Sequence, residues 1–168
     1  MVQNTAKHLI IGGGIIGCSI AYHLSRMGEK DVCLLERANL TEGATWHAAG
    51  LVGQLRSSRN TTRMLKKSVE MYDRLQLQEG LKFDWKKTGS LRLAATKERM
   101  LEARRLATMA RSFDLEMHII SPSEAKQLFP LIEQNGLEGA AFIPSDGYVD
   151  PASLCQAIAG AARKQGVD

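Results

Sequence analysis

The run Lys7-His8-Leu9-Ile10-Ile11-Gly12-Gly13-Gly14-Ile15-Ile16-Gly17, with Glu36 closing Val32-Cys33-Leu34-Leu35-Glu36, decides how this chain folds. Lys7–Ile11 is a short, mostly apolar run that ends in three glycines, as a strand entering a tight turn does. From about Ile15 to Met27 the residues Ile16, Ile20, Leu24 and Met27 form one helical stripe, and Gly28 stops the pattern. Val32–Leu35 is continuously apolar, which fits a strand buried on both faces of a parallel sheet. Residues 7–36 therefore read as strand, helix, parallel strand.

The glycines carry the chemistry of this unit. Gly12-x-Gly14-x-x-Gly17 is weak on its own, but here it lies between a strand and a helix, with an acid at the tip of the second strand. Gly12 permits the turn, Gly14 lets backbone approach a pyrophosphate, and Gly17 lets the helix lie close on the strand. The N–H groups of Ile15 and Ile16 are expected to meet phosphates at the positive end of the helix. Glu36 is placed to accept hydrogen bonds from ribose hydroxyls, and its charge disfavours a 2′-phosphate there. FAD and NAD share this fingerprint. The long Gly- and Ala-containing loop from Arg37 through Gly43, Ala44, Thr45, Trp46 and His47 to Gly50 favours FAD, because an NAD domain would turn back into a crossover helix.

Further along, the spacing predicts a loop over 37–58 with a short helical turn, and a helix over about Thr61–Gln78. Lys82–Ala95 holds two short runs around Thr88-Gly89-Ser90, and Leu91-Arg92-Leu93 alternates like a half-exposed antiparallel strand. Thr96 caps a helix to about Phe113 with Leu106, Met109, Ala110 and Phe113 inward. A strand follows over Glu116–Ile120. Ser121-Pro122-Ser123-Glu124 is a capping box with proline at the first helical position, and Pro130 ends the helix it opens. Ala140–Ile143 reads as a strand, Ser145–Gly147 as a tight turn, and Asp150-Pro151 as the start of a last helix rich in small residues for packing against a sheet. The division expected is 1–80 for the start of a nucleotide-binding domain, 81–145 for an inserted antiparallel part on the substrate side, and 146–168 for a helix returning to the first. Only two parallel strands precede residue 80, so a sheet truncated at its C-terminal side, with further strands beyond Asp168, is expected.

Composition excludes little but narrows the partners. The formal charge is +4 from 22 Lys+Arg and 18 Asp+Glu. The densest basic stretch (Arg56, Arg59, Arg63, Lys66 and Lys67) has no aromatic residues interleaved, so no nucleic-acid partner is expected. It reads as a solvated helix face, or as one that attracts a carboxylate or an acidic partner. No apolar run is long enough for a membrane span, and Met1–Lys7 resembles neither a secretory signal nor a transit peptide. A cytoplasmic protein, or a matrix protein without its leader, is expected. Cys18, Cys33 and Cys155 are far apart in apolar segments and read as small core residues of a reducing compartment. No metal site is visible. His8, His23 and His118 have no motif around them.

Ile10–Gly17, Ala21-Tyr22-His23-Leu24, Leu34-Leu35-Glu36-Arg37 and Thr45-Trp46-His47-Ala48-Ala49-Gly50-Leu51 resemble the N-terminus of dimethylglycine and sarcosine dehydrogenases. These are D-amino-acid-oxidase-like flavoproteins with a glutathione-reductase-type FAD-binding Rossmann fold. Gly89–Ala94, Ser121-Pro122 and Asp146–Pro151 extend the resemblance over nearly the whole chain. It implies FAD bonded covalently to His47, and FAD lined by Ile15, Ile16, Glu36, Arg37, Gly43, Ala44, Thr45 and Trp46. Trp46 reads equally well as a core anchor of its loop. The resemblance further implies oxidation of an N-methylated glycine, with electrons passed to an electron-transfer flavoprotein or to oxygen. It also implies a tetrahydrofolate-binding domain C-terminal to these residues. No catalytic acid or base is assigned. The alternatives are an amino-acid oxidase with dissociable FAD and a non-catalytic regulatory relative, which lacks the Trp-His pair kept here.

Overall fold

The computed structural model describes residues 5–168; residues 1–4 lie outside it. In chain order the elements are β1 (His8–Ile11), α1 (Ile15–Arg26), β2 (Val32–Leu35), β3 (Leu51–Val52), α2 (Arg59–Leu77), β4 (Trp85–Lys86), β5 (Ser90–Ala94), α3 (Lys97–Ser112), β6 (His118–Ile120), α4 (Pro122–Leu128), β7 (Gly139–Ile143), β8 (Gly147–Val149) and α5 (Pro151–Lys164). The described residues form two compact units: those up to 51, with 72–85 and 149–168, make one, and residues 52–71 and 86–148 the other. Residues 52–71, placed with the first segment by the sequence reading, cluster with 86–148 in this division.

In the first unit β1 and β2 pair in parallel from His8↔Val32 to Ile11↔Leu35. The α1 helix joins them and packs against α5. The apolar stripe Ile16–Ile20–Leu24–Met27 does not form the α1 core: Ile16, Ile20 and Met27 are exposed and Leu24 is half-buried, and Gly17, Cys18, Ala21 and Tyr22 are buried instead. Small side chains let α5 approach closely, so the face with least bulk becomes the buried one. That is also why the small residues of α5 pack on a helix rather than on a sheet: Cys155, Ile158, Ala159 and Ala162 are buried in contact with the α1 side. Beyond α5, Asp168 N–H donates to Val32 O at 3.1 Å and Leu34 N–H donates to Asp168 O at 2.8 Å. The ladder thus continues on the edge of β2 away from β1. Elsewhere in this unit, fully buried Tyr22 donates its hydroxyl to Glu79 Oε2 at 2.6 Å, and Trp85 Nε1–H donates to Asp73 Oδ1 at 2.8 Å.

The second unit holds an antiparallel sheet of order β5-β7-β6, with Ser90↔Ile143 and Ile120↔Ala140 in register. Thr96 Oγ1 accepts from Arg99 N–H to cap α3, and Ser121 and Glu124 form the reciprocal capping box that opens α4. On α3 the buried residues are Ala103, Ala107 and Ala110, while Leu106, Met109 and Phe113 pack part-buried against the cluster of Leu55, Ala110, Leu115 and Ile143. In β5 the expected alternation is weak, since Leu93 is 47% exposed. Two strands went unread in the sequence, β3 inside the expected loop and β8 beginning at the expected turn. Both are only two or three residues long, and such stretches become strands through pairing, in a sheet of order β3-β8-β4, rather than through any period of their own.

Candidate functional site

The turn between β1 and α1 is built from contacts that reach it from four directions. Gly12 adopts φ +110°, a conformation that favours glycine, and donates its N–H to Leu35 O at 2.8 Å. A Cβ on Gly12 would meet nothing within 4 Å, so this backbone faces open space. Gly14 is the extended N-cap residue of α1 and has no side chain to cap it. Thr45 supplies the cap from 30 residues away, its buried Oγ1 accepting from Ile15 N–H at 3.0 Å. Gly17 is the point of close approach, because a Cβ there would collide with Gly12 O and come within 3.4 Å of Ile10 Cγ2.

Glu36 folds back onto the turn. Its Oε2 accepts from Gly13 N–H at 2.7 Å and its Oε1 from Ala38 N–H at 2.9 Å. These backbone donors, Gly13 first, hold the carboxyl below the ordinary glutamate value. Each oxygen keeps a lone pair, so the ribose-binding role expected of Glu36 is compatible with its hydrogen bonds. Ile15 differs from expectation, because its N–H is already given to Thr45. The second helical residue, Ile16, has an N–H without an intrahelical acceptor by geometry, and its side chain is 75% exposed.

The loop that follows is a series of turns. Thr41 has φ +79°, donates its N–H to Gly13 O at 3.1 Å and accepts from Trp46 N–H at 3.3 Å. His47 is exposed and its Nδ1 lies 3.0 Å from Gly43 O. A carbonyl can only accept, so Nδ1 carries the proton and Nε2 is the nitrogen with a free lone pair. The Trp46 and His47 rings lie 4.2 Å apart between centroids at 44°. Trp46 is 58% exposed, which disfavours the core-anchor reading. Arg37, Gly43 and Ala44 are exposed on the same loop. The structure thus brings Gly12, Gly14, Ile15, Gly17, Glu36 and Thr45 together, with Gly43, Trp46 and His47 on a turn anchored to Gly13 through Thr41. Gly13 and Thr41 were not singled out in the sequence. The only available signal was the third glycine, because a positive φ at a threonine is invisible to pattern.

Two lysines of the basic stretch and two of the other histidines have partners within the fold. Lys66 caps the end of α3 by donating to Phe113 O and Asp114 O at 3.1 and 2.5 Å, and Lys67 pairs with Glu70. His8 and His118 each bond a glutamate at 2.9 Å. Among the described residues no group of three or more His, Cys, Asp or Glu could hold a metal, and no helix is long and apolar enough to cross a membrane.

Residues 7–168 match the family described as FAD-dependent oxidoreductases. The chain belongs to that family. Its similarity to human mitochondrial sarcosine dehydrogenase is 39% identity over 166 residues, 98% of this chain and 18% of that protein. Rat mitochondrial dimethylglycine dehydrogenase is 40% identical over 165 residues, 98% of this chain and 19% of that protein. Among solved structures, L-proline dehydrogenase from P. horikoshii superposes with a TM-score of 0.93 at 29% identity, over 99% of this chain and 44% of that one. The chain spans less than a fifth of the length of the two curated relatives. The turn described above suits this family's cofactor: open backbone at Gly12, a helix N-terminus beside it, and an acid at the tip of β2.

Proposed function

We propose that the protein to which this chain belongs oxidises the N-methyl C–N bond of an N-methylated glycine, dimethylglycine or sarcosine, with FAD held covalently by His47. The reading rests on near-complete coverage of this chain by dehydrogenases named for those two substrates. The observation that carries the attachment is the imidazole itself: exposed, with Nδ1 bound to Gly43 O and Nε2 left as the nucleophile. Bound FAD would supply the two-electron acceptor for the amine, passing electrons on to an electron-transfer flavoprotein or to dioxygen.

The chain's own residues would bind and orient. Gly12 and Gly14 present backbone to the pyrophosphate, Ile16 N–H points from the helix end, and Gly17 holds α1 close enough for both. Glu36 would receive the ribose hydroxyls with its remaining lone pairs. Thr45 fixes the helix end through Ile15, leaving Arg37, Ala44 and Trp46 along the exposed loop. Tetrahydrofolate, expected from the resemblance for a domain C-terminal to these residues, has no candidate ligand set among those described.

Acid precipitation of the full-length protein tests the attachment. Flavin should stay with the pellet in the wild type and pass to the supernatant in His47→Ala. Flavin released from the wild type would refute it and favour the dissociable amino-acid oxidase. Turnover should be measured with sarcosine, dimethylglycine, glycine and proline in parallel. Activity confined to the last two would overturn the substrate class.

A further inference from the structure

The positive charge of this chain is unevenly placed. Residues 52–71 and 86–148 carry 14 Lys+Arg against 9 Asp+Glu, a formal +5, whereas the first unit carries 8 against 9. Near the start of α2, Arg56 donates to Leu55 O at 2.8 Å, Lys66 donates to Phe113 O and Asp114 O, and Lys67 pairs with Glu70. Arg59 and Arg63 are exposed, and among the described residues neither has a hydrogen-bond or ion-pair partner.

These two arginines stand where a helix favours them least. Arg59, Arg63 and Lys67 follow at four-residue steps, about 6 Å apart on one face, and like charges at that spacing destabilise a helix. The stripe begins at the positive end of α2, whose first turn has no acidic residue to offset it. Acids at these positions would suit the helix better, so the stripe is a local cost that folding does not explain. Beside it lies a groove of about 700 Å³, walled by α2 on one side and by Phe113 and Asp114 on the other, and Lys66 ties the two walls together. Its lining holds four cations and two acids, Glu70 and Asp114, and Met64 adds an apolar side chain that is 65% exposed.

We propose that this groove docks an acidic segment of a partner protein, with carboxylates on Arg59, Arg63 and Lys67 and an apolar side chain on Met64. The stripe is about 12 Å long, more than one phosphate or carboxylate bridges. Acids at i, i+4 and i+8 of a helix match its spacing, as do acids at alternate positions of an extended segment, about 6.6 Å apart. A guanidinium takes a carboxylate through two parallel hydrogen bonds. Lys67 can exchange its exposed Glu70 for an acid of the partner, because such surface pairs are weak. A nucleic-acid strand finds no stacking platform here, since Phe113, the aromatic residue of the groove, packs against the cluster of Leu55 and Ile143. The excess charge of the unit draws an acidic surface toward this face. The groove lies wholly within the second unit and is independent of the reading of His47.

Fluorescence anisotropy of a fluorescein-labelled deca-glutamate peptide, titrated with the full-length protein, tests the groove. The salt should be about 0.1 M, where charges more than about 10 Å from the peptide are largely screened. Wild type should bind the peptide, and the double variant Arg59→Glu, Arg63→Glu should weaken binding roughly tenfold or more. Its urea midpoint should be unchanged or raised, because acids suit the start of a helix. The double variant Arg104→Glu, Arg105→Glu changes the net charge equally at exposed positions of α3, about 12 Å or more along the helix from Phe113; it should weaken binding less than about twofold. Equal losses in the two double variants would show net charge alone at work and overturn the proposal, and so would a wild type that does not bind. Displacement of the peptide by millimolar inorganic phosphate would reassign the groove to a small anion. Tighter binding of a single-stranded oligonucleotide, lost in the Arg59→Glu, Arg63→Glu protein, would reassign it to nucleic acid. Either result refutes the protein partner.

Discussion

Gly17→Ala isolates the contact on which the proposed nucleotide site depends. A Cβ at this position would fall more than 1 Å inside the 3.0 Å below which real Cβ contacts are essentially never found, and the atom it meets is Gly12 O, a backbone oxygen with no rotamer to escape through. Relief requires α1 to retreat from the end of β1 by more than 1 Å. Overpacking of this kind costs about 1–3 kcal/mol, and alanine's better helix propensity returns about 1 kcal/mol, leaving a net loss of about 0–2 kcal/mol. Binding should suffer more than stability. A site must hold its donors within about 0.5 Å of productive geometry, and two weakened hydrogen bonds to charged phosphate cost about 3 kcal/mol together, on the order of a hundredfold in affinity. The assay is FAD titration of the apoprotein in a His47→Ala background, where binding is reversible, followed by quenching of flavin fluorescence, alongside a urea unfolding curve. Gly160→Ala in α5 is the control, because a Cβ there meets nothing within 4 Å; it should leave FAD affinity unchanged and stabilise by up to about 1 kcal/mol. If Gly17→Ala bound FAD within threefold of wild type and unfolded at the same urea concentration, the close-approach argument would fail.

Two further substitutions test neighbouring parts of the argument. The Glu36 carboxyl is held below 4.5 by Gly13 and Ala38 N–H, so its contribution is complete above that value and is lost as pH falls through the lower folded value. Glu36→Gln should therefore show a shallower loss of stability than wild type as pH falls below about 4.5; identical urea midpoints for the two proteins through that descent would contradict it. In the second unit, buried Asp146 accepts from Gln54 N–H at 3.0 Å, Gln54 Nε2 at 2.9 Å and Ser90 Oγ at 2.7 Å. Asp146→Ala leaves Gln54 N–H, Gln54 Nε2 and Ser90 Oγ without their buried acceptor and should cost about 2–4 kcal/mol by chemical denaturation. A change below about 0.5 kcal/mol would show that the network rearranges at no cost.

The opening strand–helix–strand, the glycine turn, Glu36 at the tip of β2 and the caps at Thr96, Ser121 and Asp150 were legible in the sequence, because each depends on neighbours in the chain or on a fixed short spacing. Periodicity misjudged the face of α1. It reads bulk, whereas the buried face was decided by which residues let α5 come near, and Gly17, Cys18 and Ala21 did so. It also could not show that Thr45 caps α1 rather than facing outward, or that Nδ1 of His47 is committed to Gly43 and leaves Nε2 free. Nor could it bring Cys18 and Cys155 to one carbonyl, Gly13 O. Those facts join residues by hydrogen bonds and packing across turns or long stretches of chain, and only the folded backbone sets such distances. The sequence by itself determined the glycine turn and the acid at the tip of β2; tertiary structure decided which atoms around them remain unpaired.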